Sequence, residues 1–143
     1  MQKELKILML EDLQDDVGLI ERMLSKQGIS FISKRVDTRE EFIDALRTFD
    51  PDVILSDHAL PQFNSLQALT ICRKLHVDVP FILVTGTVSE EFAVSCLKQG
   101  ADDYVLKSNL VRLPSAILNA LKQRHHEHKR KKAEKALRKQ NEE

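Results

Sequence analysis

Long apolar runs are missing from this sequence of 143 residues. A membrane-spanning helix needs a run of about 18 apolar residues, and no stretch is that long. The first five residues, MQKEL, lack the apolar core of a signal peptide. The two cysteines, Cys72 and Cys96, form no close pair, which argues against a zinc or redox motif and fits a reducing compartment. We therefore expect a cytoplasmic protein without a membrane partner.

A net charge is also missing, because 22 basic and 22 acidic side chains balance. The balance is uneven along the chain. Residues 1–121 carry 13 basic and 18 acidic side chains, whereas residues 122–143 carry 9 and 4. The length and the hydrophobic content of 42% are those of one globular domain. We predict that this domain spans residues 1–121 and that residues 122–143, the tail, form a charged helical extension or linker.

Short apolar runs alternate with amphipathic stretches along the predicted domain. Five runs are apolar enough to be strands buried on both faces, as in a parallel sheet covered by helices. They end near Leu10, Val36, Leu55, Val84 and Leu106. Apolar residues at helical spacing predict five intervening and following helices. Thr38, with Glu41 as in a capping box, should cap the second helix, Ser89 the fourth, and the last should start near Leu110. The alternation predicts an α/β fold.

The residues just past the strands are the candidates for chemistry, because ligands of open parallel α/β sheets bind outside the carboxyl ends of the strands. Glu11 and Asp12 follow the first strand and Asp57 follows the third. Thr85 follows the fourth strand and Lys107 the fifth. Three carboxylates, a hydroxyl and an ammonium should therefore meet at one edge of the sheet.

This combination of groups suits phosphoryl chemistry with a divalent cation. Clustered carboxylates repel each other unless a cation lies among them, and Mg²⁺ prefers such oxygen ligands. The cation would also screen an incoming phosphoryl group. Asp57 is then the candidate nucleophile, while Lys107 and Thr85 would hold phosphate oxygens. Taken singly, each residue has an ordinary alternative role. The acidic pair could cap a helix or lie in a solvated loop, Asp57 could be a turn residue, and Lys107 could be a solvated charge. Tyr104 could simply be a core residue.

The set of motifs closely resembles the receiver domains of response regulators in two-component signalling. The resemblance spans about residues 4–121 and rests on the acidic pair, DVILSD, HALP, the Thr85-Gly86 step and GADDYVLK. It implies a flavodoxin-like (βα)₅ fold, a doubly wound parallel sheet with strand order 2-1-3-4-5. It also implies that Mg²⁺ is held by Asp12, Asp57 and the backbone carbonyl of Ala59, with Glu11 acting mainly through water.

The resemblance further implies a signalling switch in a phosphorelay rather than an enzyme with a separate substrate. Such a domain catalyses only its own aspartyl phosphorylation and dephosphorylation. The phosphoryl donor would be a phosphohistidine on a sensor histidine kinase or a histidine phosphotransfer protein. Thr85 and Tyr104 would form the switch pair, which changes conformation to control a partner or an output domain.

Three positions depart from the common receiver pattern. Asn64-Ser65 stands where many receivers have Asp-Gly, so the turn after HALP should differ. Ser108 stands in place of proline after the lysine; a non-proline cis bond is costly, so we expect a trans bond after Lys107 and an altered loop. Gly86 replaces the common alanine and should loosen the switch loop. The combination of HALP, TGT and LKSNL resembles receivers found in front of sensory and kinase modules in hybrid proteins.

Other functions remain as alternatives. A receiver-like adaptor would not use phosphate, although the intact Asp12, Asp57 and Lys107 argue against it. A phosphohydrolase of the haloacid-dehalogenase type also forms an aspartyl phosphate. Its nucleophile follows the first strand in a DxD pattern, where this chain has Glu11-Asp12-Leu13. A dinucleotide-binding fold is not indicated, because no GxGxxG follows the first strand.

The tail contains no glycine or proline, which predicts a helix continuous with the last helix of the domain. Ala133 and Leu137 form one narrow apolar stripe, so we expect at most a weak homodimer, or a connector to an output domain outside this chain. The tail is basic but has no aromatic residues, so nucleic-acid binding is not expected. A metal on His125, His126 and His128 is an alternative to their simple solvation.

Overall fold

A computed structural model describes residues 4–58, 60, 63–86 and 90–141. The strands are β1 (Leu5–Leu10), β2 (Phe31–Val36), β3 (Val53–Ser56), β4 (Phe81–Thr85) and β5 (Asp103–Leu106). The helices are α1 (Gln14–Lys26), α2 (Arg39–Thr48), α3 (Ser65–Lys74), α4 (Glu90–Lys98) and α5 (Leu113–Asn141), with a 3₁₀ helix at Lys107–Arg112. All five strands are parallel and lie in the order β2-β1-β3-β4-β5, which confirms the predicted fold.

A hydrophobic core lies on each face of the sheet, because alternate strand residues point to opposite faces and both sets are apolar. On one face, Leu8 and Ile54 pack with Phe42 and other buried residues of α2, α3 and α4. On the other face, Ile7 and Leu55 are covered by buried residues of α1 and α5. Each fully buried aliphatic side chain contributes about 2 kcal/mol. These two cores hold the strands whose ends carry the polar residues.

The register of strand pairing aligns the carboxyl ends of the strands. Leu10 of β1 pairs with Ser56 of β3, and the Asp57 N–H donates to the Leu10 carbonyl at 2.9 Å. Across the sheet, Thr85 of β4 pairs with Leu106 of β5. The residues after these strands therefore start from neighbouring backbone positions at one edge of the sheet.

Side-chain caps set the starts of α2 and α3. Asn64 and Gln67 form a capping box, in which each side chain accepts from the other's backbone N–H at 2.9 Å. The departure at Asn64 thus serves to begin a helix. Thr38 caps α2 as predicted, but the Glu41 carboxylate accepts from the Thr38 hydroxyl and the Asp37 N–H. In a standard capping box the Glu41 carboxylate would accept from the Thr38 N–H, whereas here it reaches one residue earlier, to the Asp37 N–H.

The segment after β5 also differs from the prediction. Residues Lys107–Arg112 form a 3₁₀ helix, and α5 begins at Leu113 rather than near Leu110. Pro114 explains this start, because proline has no N–H to donate and is tolerated in the first turn of an α-helix. The described residues contain no cis peptide bond, which confirms the trans bond expected after Lys107. Ser89, the predicted cap of α4, lies outside the described residues.

Arg124 clamps α5 to the amino-terminal edge of the sheet. Its guanidinium donates to both carboxylate oxygens of Asp102, at 2.8 and 2.9 Å, and pairs with Asp78. Asp102 also accepts from the Phe81 N–H at 2.9 Å, so the clamp reaches the start of β4. His128, one turn further along α5, contacts the second oxygen of Asp78. The interactions with Asp102 raise the pKa of Arg124.

The tail continues α5 as one helix to Asn141, which confirms the predicted helical extension. Side chains from residue 125 to residue 139 are exposed. The boundary predicted at residue 121 falls inside this helix, so the division into domain and tail stays a prediction. No helix in the described part of the chain is both long and apolar enough to cross a membrane.

Candidate functional site

Carboxylates from two strand ends meet at the carboxyl edge of the sheet. Oxygen atoms of Glu11, Asp12 and Asp57 lie within 4.8 Å of one another. Among the residues that the structure describes, this is the only group of histidine, cysteine and acidic side chains placed to hold a metal ion. The histidines of the tail form no such group. The clustering follows from the register, since β1 and β3 are neighbours in the sheet.

Lys107 joins this cluster from the end of β5. Its ammonium lies 2.7 Å from Glu11 Oε2 and 3.0 Å from Asp57 Oδ2. It also lies 2.6 Å from Asp16 Oδ2, a contact that the sequence did not predict. The sequence could have indicated this contact only through the position of Asp16 in the first turn of α1, a few residues after the acidic pair. The structure thus brings together four of the five predicted strand-end residues, and Thr85 lies at the same edge.

Burial and the lysine charge act against each other at Glu11. The Glu11 side chain is only 3% exposed, and this burial raises its pKa to about 7 despite the hydrogen bond from Lys107. Both oxygens are engaged, since Oε1 accepts from the Leu13 N–H at 3.1 Å and Oε2 faces Lys107. Burial would lower the pKa of Lys107, but its hydrogen bonds to Asp16, Glu11 and Asp57 raise it. The ammonium is therefore firmly charged.

The donor set fits a hard divalent cation. Mg²⁺ takes carboxylate oxygens and keeps several waters, and three carboxylates from one edge offer such a partial shell. Glu11 is less suited to direct contact with the ion, because both of its oxygens already have partners in the protein. Ala59, whose carbonyl the resemblance adds to the ligands, lies outside the described residues.

Thr85 and Tyr104 lie on one face of the sheet. Leu83 pairs with Tyr104, and Thr85 follows Leu83 by two residues, so all three side chains point the same way. Thr85 is 1% exposed, and Tyr104 is half-buried against the core shared with α2, α3 and α4. A hydroxyl at the end of β4 and an aromatic ring on β5 are thus diagonal neighbours.

His58, beside Asp57, connects the site to two helices, and the sequence did not indicate this role. Its Nδ1 lies 3.2 Å from the buried Ser65 hydroxyl at the start of α3. Its ring centroid lies 3.7 Å from that of Phe92 in α4. Burial lowers the pKa of His58, partly opposed by the charge of Asp57.

Comparison with known families gives a match to the response regulator receiver domain over residues 7–118. The chain belongs to this family. Receivers are signalling switches in two-component systems, and phosphorylation on aspartate is their general function. They act between histidine kinases and the output domains of response regulators.

The curated relatives are longer than the part that matches this chain. A protein-glutamate methylesterase/protein-glutamine glutaminase of Treponema pallidum is 34% identical over 65% of this chain and 25% of its own length. The cell cycle response regulator CtrA of Brucella ovis is 34% identical over 72% of this chain and 44% of its length. The chain therefore spans less than half of these relatives.

Solved receiver domains have the same fold. The receiver domain of a LuxO repressor protein from Vibrio parahaemolyticus superposes with a TM-score of 0.77 at 22% identity, covering 88% of this chain and 96% of that one. A CheY-like receiver domain protein from Methanospirillum hungatei gives 0.74 at 25% identity, with 87% and 99% covered. At this level of identity the first likeness concerns the fold alone.

Proposed function

We propose that this receiver accepts a phosphoryl group on Asp57 from a phosphohistidine of a sensor histidine kinase or a histidine phosphotransfer protein. The observation that carries the proposal is the Lys107 ammonium, held 3.0 Å from Asp57 and 2.7 Å from Glu11 at the carboxyl edge of the sheet. Asp57 therefore has the Lys107 ammonium beside it, and the neighbouring carboxylates of Glu11 and Asp12 could help to hold a metal cation.

In the proposed reaction, an Asp57 oxygen attacks phosphorus as the bond from phosphorus to the histidine nitrogen breaks. The nitrogen keeps the electron pair, and an acyl phosphate forms. Lys107 moves from the Asp57 oxygen to a phosphoryl oxygen, and the Thr85 hydroxyl donates to another. Asp12, Asp57 and the Ala59 carbonyl would hold Mg²⁺, with Glu11 acting through water. When bound, the ion would neutralise charge on the transferred phosphoryl group.

The proposal is tested with acetyl phosphate as a small donor. Intact mass should show one added phosphoryl group per chain in Mg²⁺, and none when the cation is removed with EDTA. Hydroxylamine should release the group, as it does from acyl phosphates. An adaptor that no longer uses phosphate would stay unlabelled under all of these conditions, which would overturn the proposal.

Asp12→Ala should weaken Mg²⁺ binding by at least about tenfold, because the variant loses a direct oxygen ligand. Without Mg²⁺ the same change should raise the free energy of unfolding, since one of three mutually repelling carboxylates is gone. Titration of Mg²⁺ followed by NMR, with urea unfolding in EDTA, measures both effects. An unchanged Mg²⁺ affinity would rule out Asp12 as a ligand.

The switch is proposed to connect Thr85 with Tyr104. A phosphoryl group on Asp57 would draw the Thr85 hydroxyl towards it and leave room for the Tyr104 ring to turn inward. Backbone amide shifts on phosphorylation should therefore extend through α4, β5 and α5, and Thr85→Ala should confine them to the Asp57 loop. Wild-type shifts that stay in that loop would contradict this mechanism.

The family and the exposed helical tail also support a proposal for where the receiver works and what it is joined to. The receiver of residues 1–121 would work in the cytoplasm, and the tail would connect it rigidly to an output domain, as in hybrid sensory proteins. A weak homodimer could form along the end of α5, since Ala133 and Leu137 lie four residues apart on one face and Leu137 is 59% exposed. No role is proposed for nucleic acid or membrane.

Truncation after Arg130 should weaken self-association while leaving phosphorylation of Asp57 intact. It removes the apolar stripe of Ala133 and Leu137 but keeps Arg124 and His128, whose contacts hold α5 to the domain. Sedimentation equilibrium measures the association. The homodimer proposal fails if the shorter chain associates equally well, and the separation of tail and receiver fails if the shorter chain no longer accepts phosphate.

A further inference from the structure

The Lys107 ammonium has three protons to donate, and three carboxylates surround it. The distances are 2.6 Å to Asp16, 2.7 Å to Glu11 and 3.0 Å to Asp57. The shortest contact thus goes to a residue that takes no part in the function proposed above. Asp16 also stands apart from the group that could hold a metal ion, which in the described residues consists of Glu11, Asp12 and Asp57.

The three contacts differ in what happens to them when phosphate arrives. Formation of the acyl phosphate removes the charge of the Asp57 carboxylate, so Lys107 exchanges that partner for a phosphoryl oxygen. Glu11 is 3% exposed, and its separation from Lys107 would leave a buried carboxylate without its cation. Asp16 is 23% exposed, so water can replace Lys107 there at little cost. The Asp16 contact is therefore the one that can be given up or kept according to competing charge.

We propose that Asp16 is a positioning residue that competes with the phosphoryl group for Lys107 and so limits how strongly the site holds phosphate. This inference rests on the proposed function of Asp57. Asp16 draws the ammonium towards α1, whereas a phosphoryl group on Asp57 draws it towards the end of β3. Loss of the Asp16 charge should favour the phosphoryl-bound position.

The chain offers a matched control one residue away. Asp15 lies in the same first turn of α1 and is exposed. Asp15→Asn and Asp16→Asn change the net charge equally, so a difference between them reports the contact with Lys107 and not the general field of the protein. Asp16→Glu restores the charge on a longer side chain and tests whether placement matters.

Beryllofluoride, which mimics the phosphoryl group on aspartate, is the probe. At Mg²⁺ concentrations that saturate each variant, Asp16→Asn should bind it about fivefold more tightly than wild type, the range expected for a partly exposed ion pair. Asp15→Asn should equal wild type, and Asp16→Glu should fall between wild type and Asp16→Asn. Equal or weaker binding by Asp16→Asn would overturn the competition.

A second measurement does not depend on phosphate or metal. In EDTA, the Lys107 ammonium protons should exchange with water faster in Asp16→Asn than in Asp15→Asn, as measured by NMR of the lysine ammonium groups, because one of three acceptors has lost its charge. Equal exchange would remove Asp16 from the lysine's partners. A wild-type protein that binds no beryllofluoride would instead contradict the proposed function, and the ammonium measurement would still decide the contact.

Discussion

Asp57→Asn should abolish phosphorylation by acetyl phosphate in Mg²⁺. The substitution keeps the size of the side chain but replaces the attacking carboxylate with an amide, which cannot form an acyl phosphate. The fold should persist, because the Asp57 N–H still donates to the Leu10 carbonyl and the neighbouring strand β3 is buried in both cores. Intact mass and the hydroxylamine-labile phosphate measure the loss.

Asp50→Asn is the matched control for this experiment. Asp50 precedes β3 and is therefore near the end of the strand opposite to Asp57. Its φ is positive, at 51°, and asparagine also adopts this conformation readily. The variant carries the same change of charge and should be phosphorylated like wild type. Full labelling of Asp57→Asn would show that another residue accepts the phosphoryl group.

Lys107→Ala should lower the free energy of unfolding by about 3 kcal/mol in EDTA, because removing one partner of a largely buried ion pair leaves the others uncompensated. Glu11, Asp16 and Asp57 all lose their common cation. Mg²⁺ should restore part of the loss, since a second cation can enter the same cluster. Urea unfolding with and without Mg²⁺ measures both changes, and Lys122→Ala, at an exposed position of α5, is the control.

The loss in Lys107→Ala should also depend on pH. Burial already raises the pKa of Glu11 to about 7, above its usual value, so the folded protein binds this proton more tightly than the unfolded chain. As pH rises from about 4.5 to about 7, the buried carboxylate therefore destabilises the fold increasingly. The effect is largest when Lys107 is missing. The variant should lose more stability at about pH 8 than at about pH 5. A loss that is independent of both pH and Mg²⁺ would contradict the proposed electrostatics.

The strand-end residues could be predicted because a parallel sheet imposes a simple rule. Apolar runs identify the strands, and whatever follows each run must appear at the same edge. Glu11, Asp12, Asp57 and Lys107 meet there as this rule requires. Thr38 as a cap is likewise local, because its partner lies three residues away.

Contacts between distant elements could not be read in the same way. Asp16 was one of several acids near the start of α1, and only the packing of α1 against the 3₁₀ helix after β5 brings it within 2.6 Å of Lys107. His58 meets Phe92 because α4 packs over the loop after β3. The Arg124 clamp joins residues 22 and 46 positions apart along the chain, which no helical or strand period relates.

The amino-acid sequence by itself determined the alternation of strands and helices, the edge at which the chemistry lies and the helical tail, because periodicity and residue type act over a few neighbouring positions. Tertiary structure alone decided how the charges are shared. Whether Lys107 faces two carboxylates or three, whether Glu11 is buried enough to raise its pKa, and where α5 is held to the domain all depend on distances between packed elements. Electrostatic interactions change steeply over a few ångströms and with exposure to water, and packing sets both.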